Sequence, residues 1–454
     1  MTDLHQLGIH ALSGLIAARK ISVLEVTDAL IARCNAMRDQ THAFVTPTFD
    51  LARDIARSRD AELAKGISRG QLHGIPIGLK DAIDAADIQT TLCGSYTPRR
   101  SAAVWQSLDA AGAVLMGKLH CAGYCLGTPG MNDAVPFARH PFDASRTPGA
   151  SSSGSAVALA NGLVPAALGT DTGGSIRIPA SFCGIVGLKP TNGLLSRDGV
   201  FPLAPSLDQV GPMARDSRDC AILLDAMAPG SGSYAGGLTQ RLDGLRVGHV
   251  AHFSVEAGVT SEYEIAVQTT LASLAALGAT IEEVTLPPLQ AFTDCFLPLM
   301  LSEAYGLHAK AIQHDQAMPD STRARLQIGA MIDPADVTRA KAQRARLTQA
   351  VDAIWTRVDV LVFPIVPADP PRIDCIEPLA YMRAPMLAVP ANLVGVPAVS
   401  IPCGFSEAGL PIGLQILAPR SCDGNVLRVA HAYETETGLT GPRPRQRPKP
   451  YSLL

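Results

Sequence analysis

No stretch of the 454-residue chain approaches about 18 uninterrupted apolar residues, the length at which a membrane-spanning helix becomes readable, so none is expected. A basic excess is missing as well. Lys+Arg number 38 and Asp+Glu 41, a net charge of −3, whereas a protein that tracks nucleic-acid phosphates needs the opposite balance. Only 17% of residues are charged and 47% are hydrophobic, which excludes a disordered chain and supplies a large core. The N-terminal MTDLHQLGIHALSGLIAARK has no basic n-region and no cleavage site, so it does not read as a secretory signal, and a cytoplasmic setting is expected. The ten cysteines are scattered and read as reduced, buried thiols rather than as a disulfide framework. Cys121 and Cys125 are spaced C-x3-C with no second pair, which is not a zinc spacing. With no ligand cluster evident, neither a metal nor an organic cofactor is expected.

Helical and strand patterns alternate along the chain. Ser22 and Glu25 frame a capping box, and Val23, Val26, Leu30 and Cys34 then recur at helical spacing. Residues 103–119 read as a helix stopped at Gly112 and followed by a buried strand. Residues 264–284 repeat the pattern, with Gly278 as the stop and 280–284 as the strand. Short apolar runs at 245–250, 358–363, 397–402 and 412–417 read as strands, the last two joined by a hairpin connection at 407–410. This pattern predicts an α/β fold: a large mixed central sheet covered by helices on both faces. Without an internal repeat or a long linker, 1–454 is expected to form one domain. Its catalytic core spans about 60–230, residues 231–440 complete the sheet and the substrate pocket, and 441–454 form a Pro/Arg-rich tail whose prolines exclude regular structure.

Two motif matches fail on chemistry. Residues 112–118 fit G-x4-G-K, but Leu119 stands where a P-loop needs Ser or Thr, and the interior Ala-Val-Leu-Met reads as a buried strand. Around Ser175 the sequence GGSIR lacks the second glycine of the G-x-S-x-G nucleophile elbow. None of the eleven histidines sits in a context that nominates it as a base.

The informative region is 147–179. It holds a serine cluster, Ser151, Ser152, Ser153 and Ser155, interleaved with Gly149 and Gly154, and then Gly169-Thr-Asp-Thr-Gly-Gly-Ser175. Glycines directly before a serine let backbone N–H groups converge on one small space, as an oxyanion hole requires. A serine needs a base. Lys80 ends the apolar run Gly74-Ile-Pro-Ile-Gly-Leu, and it is one of only eight lysines against thirty arginines (38 − 8). Burial at a strand end disfavours an ammonium, which suits a general base near neutral pH.

Taken together, these segments resemble the amidase signature family. Residues 74–81 resemble its lysine motif, 149–155 its serine-rich loop and 169–180 its nucleophile motif. His140-Pro-Phe-Asp143 resembles the segment that precedes the serine loop, and 392–402 and 409–415 resemble its C-terminal strands. The resemblance implies a Ser-cisSer-Lys triad, with Ser175 as nucleophile, Ser151 as bridging serine and Lys80 as base. It implies an oxyanion hole from the N–H groups of Thr172, Gly173, Gly174 and Ser175, supported by Asp171, Arg177 and Ser152. A cis peptide bond is implied at Ala150–Ser151, although the family usually has Gly-Gly where this chain has Gly149-Ala150.

The implied activity is hydrolysis of a small-molecule carboxamide through an acyl-enzyme, without cofactor, metal, nucleic acid or membrane, and with room for a homodimer. Substrate choice is expected from 121–132 and from the helical segment around 300–346. Within the family, the alternative is the amidase subunit of a tRNA-dependent amidotransferase. That group carries an acidic residue ahead of the Asn-Leu-x-Gly segment, where this chain has Pro385, which argues for a stand-alone hydrolase. A catalytically inactive interaction protein of the same fold is disfavoured because Lys80, Ser151 and Ser175 are all present.

Overall fold

The computed structural model describes residues 3–126, 136–228, 230–314, 316, 318–377, 379 and 384–441. The expected tail beyond Gly441, residues 127–132 of the segment 121–132, and Arg383 therefore lie outside the described residues.

Eleven strands are present among the described residues: β1 Phe44–Pro47, β2 Pro76–Lys80, β3 Val114–Leu119, β4 Ala166–Asp171, β5 Val186–Lys189, β6 Gln209–Ala214, β7 Arg246–His249, β8 Thr280–Glu283, β9 Val360–Pro364, β10 Ala398–Phe405 and β11 Pro411–Leu417. They form one sheet in the order β1-β3-β2-β4-β6-β5-β10-β11-β9-β7-β8. β2 runs parallel to β3 and β4, and β7 runs parallel to β8 and β9. The remaining pairings are antiparallel, so the sheet is mixed as expected. β1, ahead of residue 60, pairs with β3, and strands from both sides of residue 230 share the sheet through the β5–β10 pairing.

Both faces are covered. Successive strand side chains point to opposite faces, and β9 shows where each goes. Val360 and Val362 join a core cluster with Val26, Leu223, Val267 and Val429, which come from the helices Val23–Thr41, Ser217–Met227, Ser261–Ala276 and Asp423–Thr437. Leu361 and Phe363 join a second cluster with Phe296, Leu347 and Leu393, from the helices Leu289–Gln313, Pro334–Ile354 and Val389–Val394. Each buried aliphatic side chain contributes about 1.5–3 kcal/mol by leaving water, so residues from distant parts of the chain hold the sheet in place.

Local signals act where the sequence places them. Ser22 and Glu25 form the capping box of Val23–Thr41. The run rejected as a P-loop overlaps β3, which is buried along its length. The helix Ser153–Ala160 starts within the serine cluster. Gly154 donates its N–H to His120 O at 3.0 Å, and Ser155 Oγ donates to Leu168 O at 2.9 Å. Packing of small residues against β4 and the chain beyond β3 overrides their low helix propensity.

Candidate active site

The site forms where two parallel strands end. Lys80 is the last residue of β2 and Asp171 the last of its neighbour β4. Crevices outside the carboxyl ends of parallel strands are where open α/β sheets bind ligands. Lys80 has no exposed surface. Its Nζ lies 2.7 Å from Ser151 Oγ and 2.6 Å from Thr170 Oγ1. Ser151 follows a cis peptide bond from Ala150.

Ser152 is the adjacent anchor. Its N–H donates to Ser175 O at 3.2 Å, its hydroxyl donates to Thr170 O at 3.2 Å, and the hydroxyl oxygen accepts from Thr170 N–H at 3.3 Å. Those bonds stitch the serine loop to the end of β4 and to the turn that holds Ser175. Ser151, Thr172, Gly173 and Ser175 then face one cavity of ≈ 150 Å³.

The turn from Asp171 to Arg177 is organised around one carboxylate. Asp171 Oδ1 accepts the Gly174 N–H at 2.7 Å, and Oδ2 accepts those of Ile176 at 3.1 Å and Arg177 at 3.4 Å. This corrects the expected oxyanion donors. The Gly174 N–H is taken up by Asp171, leaving Thr172, Gly173 and Ser175 of the four. Gly174 adopts φ 114°, a left-handed conformation that side chains rarely take, and that turns its N–H toward the carboxylate. At Gly173, an added Cβ would meet Phe296 Cζ at 2.6 Å, so any side chain there would have to displace the Phe296 ring.

Asp171 and Arg177 form a fully buried ion pair with two contacts of 3.1 Å, from Nε to Oδ2 and from Nη2 to Oδ1. Arg177 also donates to Gln415 Oε1 at 2.7 Å and Asn392 Oδ1 at 2.6 Å. Asn392 Nδ2 returns a bond to Asp171 Oδ1 at 2.9 Å, and Gln415 Nε2 donates to Leu387 O at 2.8 Å. Burial alone would raise the Asp171 carboxyl, but the Arg177 charge and hydrogen bonds from Arg177 and Asn392 win and hold it below the usual carboxylate range. Buried charge is tolerable here because the network satisfies both partners.

Among families of known proteins, the Amidase model matches residues 25–427. The chain belongs to the amidase signature family. It is 37% identical to a glutamyl-tRNA(Gln) amidotransferase subunit from Chloroflexus aurantiacus, over 98% of this chain and 99% of that protein. It is similar to a solved structure described as a vestigial protein complex revealing the evolutionary origins of an s-triazine catabolic enzyme. That match has TM-score 0.88 and 30% identity, over 97% of this chain and all of that one. It is also similar to the peptide amidase of Stenotrophomonas maltophilia, with TM-score 0.83 and 28% identity over 98% and 99% of the two chains.

The amidase-family site contains residues that sequence reasoning passed over. Thr170 contacts Lys80 from inside the nucleophile motif, but a lone threonine gives no signal of its own. Asn392 and Gln415 lie in segments that match the family, yet no local pattern ties either to Arg177. The segments expected to choose substrate contribute Cys125, Leu126, Met300 and Arg325 to the cavity wall. Phe296 and Leu203 also line it from outside those segments. Phe296 stands one helical turn before Met300, and that i, i+4 spacing was the available clue. Among the described residues no group of three or more His, Cys, Asp or Glu could hold a metal ion. No helix among them is long and apolar enough to cross a membrane.

Proposed function

We propose that the protein cleaves a carboxamide C–N bond through an acyl-enzyme on Ser175, with the whole chain acting as one catalytic unit. Lys80 takes the proton of Ser151, Ser151 takes that of Ser175, and Ser175 Oγ attacks the carbonyl carbon. The N–H groups of Thr172, Gly173 and Ser175 meet the developing oxyanion. The proton returns through Ser151 to the departing nitrogen, the C–N bond breaks, and ammonia or an amine leaves. Water then enters by the same relay and releases the carboxylic acid. The observation that carries this reading is the 2.7 Å approach of Lys80 Nζ to Ser151 Oγ, with Ser151 and Ser175 on one cavity. Ile178, Leu203, Phe296 and Met300 give that cavity an apolar wall suited to a hydrocarbon acyl group. Arg325 is the one charged side chain among the described lining residues.

A second reading is favoured by the 37% identical relatives. In it the same acyl chemistry runs on glutamine, and the chain works within a multi-chain enzyme acting on glutamyl-tRNA. Nucleic acid then enters as substrate of the assembly. Pro385 in place of an acidic residue, and a described cavity wall without a carboxylate, support the stand-alone hydrolase. The test is ammonia release by the purified chain alone on a carboxamide panel that includes glutamine. Turnover of simple amides without partners supports the hydrolase. Release from glutamine alone, and only with partner proteins present, replaces it with the second reading.

A further inference from the structure

Cys121 and Cys125 are arranged for a chemistry that amide cleavage does not use. Their sulfurs lie 3.5 Å apart inside the protein, and Cys125 lines the cavity that holds Ser151 and Ser175. The turn between them is built by two non-glycine residues at positive φ, Tyr124 at 54° and Cys125 at 56°. It closes with the Cys125 N–H on Ala122 O at 2.9 Å, and it is tied to the serine loop by the Ala122 N–H on Ser151 O at 3.4 Å. We propose that Cys121 and Cys125 form an oxidisable pair, reached by hydrogen peroxide through the substrate cavity, whose closure to a disulfide lowers turnover. The oxidation stands independently of the amidase reading, and only its effect on turnover rests on that reading.

The order of events follows from position. Cys125 faces the cavity, and the hydrogen bond from Cys121 favours its thiolate against the opposing effect of burial. Cys121 is buried behind it, and burial keeps it a thiol. The Cys125 sulfur attacks one peroxide oxygen: an S–O bond forms, the O–O bond breaks, and the departing hydroxide takes a proton to become water. The product is a sulfenic acid. Cys121 loses its proton, its sulfur attacks that of Cys125, the S–S bond forms and the S–O bond breaks, releasing a second water. Two thiols have lost two electrons and one peroxide has gained them. A disulfide needs its sulfurs about 2.05 Å apart, so the pair must close by about 1.5 Å. The Ala122–Ser151 hydrogen bond passes that movement to the serine that contacts Lys80.

The test uses the full-length protein, treated with hydrogen peroxide, alkylated and digested with trypsin. Both cysteines fall on one tryptic peptide, residues 119–139. This peptide is expected to become lighter by two hydrogens and to resist alkylation, and dithiothreitol reverses both changes. A shift of ~1 Å at a catalytic group costs about 10²-fold, so ammonia release is expected to fall at least tenfold and to recover with the reductant. In Cys121→Ala, Cys125 is expected to stop at the sulfenic acid, trapped by dimedone. If that variant fails to fold, the wild-type peptide mass decides alone. A 119–139 peptide that stays fully alkylated while the exposed Cys375 is oxidised overturns the proposal. Loss of the two hydrogens with turnover unchanged overturns the coupling to Ser151. A chain that releases ammonia from no amide before oxidation defeats the amidase reading, while the peptide mass still decides the pair.

Discussion

Lys80 and Lys118 sit one register step apart on adjacent parallel strands, both without exposed surface, yet one ends among hydroxyls and the other on a carboxylate. Leu79 pairs with Lys118 and Lys80 with Leu119, so the two lysines point to opposite faces of the sheet. Lys80 meets Ser151 and Thr170. Lys118 meets Thr90 Oγ1 at 2.7 Å, Asp81 O at 3.2 Å and the Asp81 carboxylate at 3.5 Å. Burial pulls Lys118 down and Asp81 opposes it. An anion beside a buried lysine favours its charged form. Two lysines buried alike therefore differ in the partners they meet.

The most severe way to break the comparison is at Lys80. Lys80→Ala is expected to lower kcat/KM for amide cleavage by about 10²–10⁴ or more, since base catalysis supplies that range and a relay acts as a unit. Near-wild-type turnover would remove Lys80 from the mechanism. Lys118→Met should do the reverse. It leaves Asp81 buried without its cation, so urea unfolding should show a loss of about 3 kcal/mol, while turnover per folded molecule stays close to wild type.

The smallest effect belongs to a third buried lysine, Lys189 at the end of β5. Burial, with repulsion from Arg177, pulls it down to about 7. The unfolded chain then binds the proton more readily than the folded one above that pH, so stability rises as pH rises. Urea unfolding should show a gain of about 1 kcal/mol from pH 7 to pH 8, and Lys189→Met should abolish the slope.

These lysines also show what a sequence discloses. Lys80 was legible because it ends a strand-like run in a chain with few lysines and lies in a segment that resembles the family's lysine motif. The strands near 245, 358, 397 and 412 and the capping box at Ser22 were legible because period and capping are local. The engagement of the Gly174 N–H was not, because glycine spacing says where backbone can turn and not which acceptor it finds. Asn392 lies 215 residues and Gln415 238 residues from Arg177 in the chain, and only the sheet order brings them together.

That separation has a consequence for how the protein is made. Lys80, Ser151 and Ser175 all leave the ribosome early, but the partners that complete the Arg177 network follow more than 200 residues later. At about 5–20 residues per second, the nascent chain carries its nucleophile for roughly 10–50 seconds before Gln415 is even synthesised. During that interval the turn holding Ser175 lacks the side chains that fix its ion pair. Under the proposed mechanism, the half-made polypeptide holds Lys80, Ser151 and Ser175 without the side chains that brace the turn beside them, so turnover is expected only once the last strands arrive.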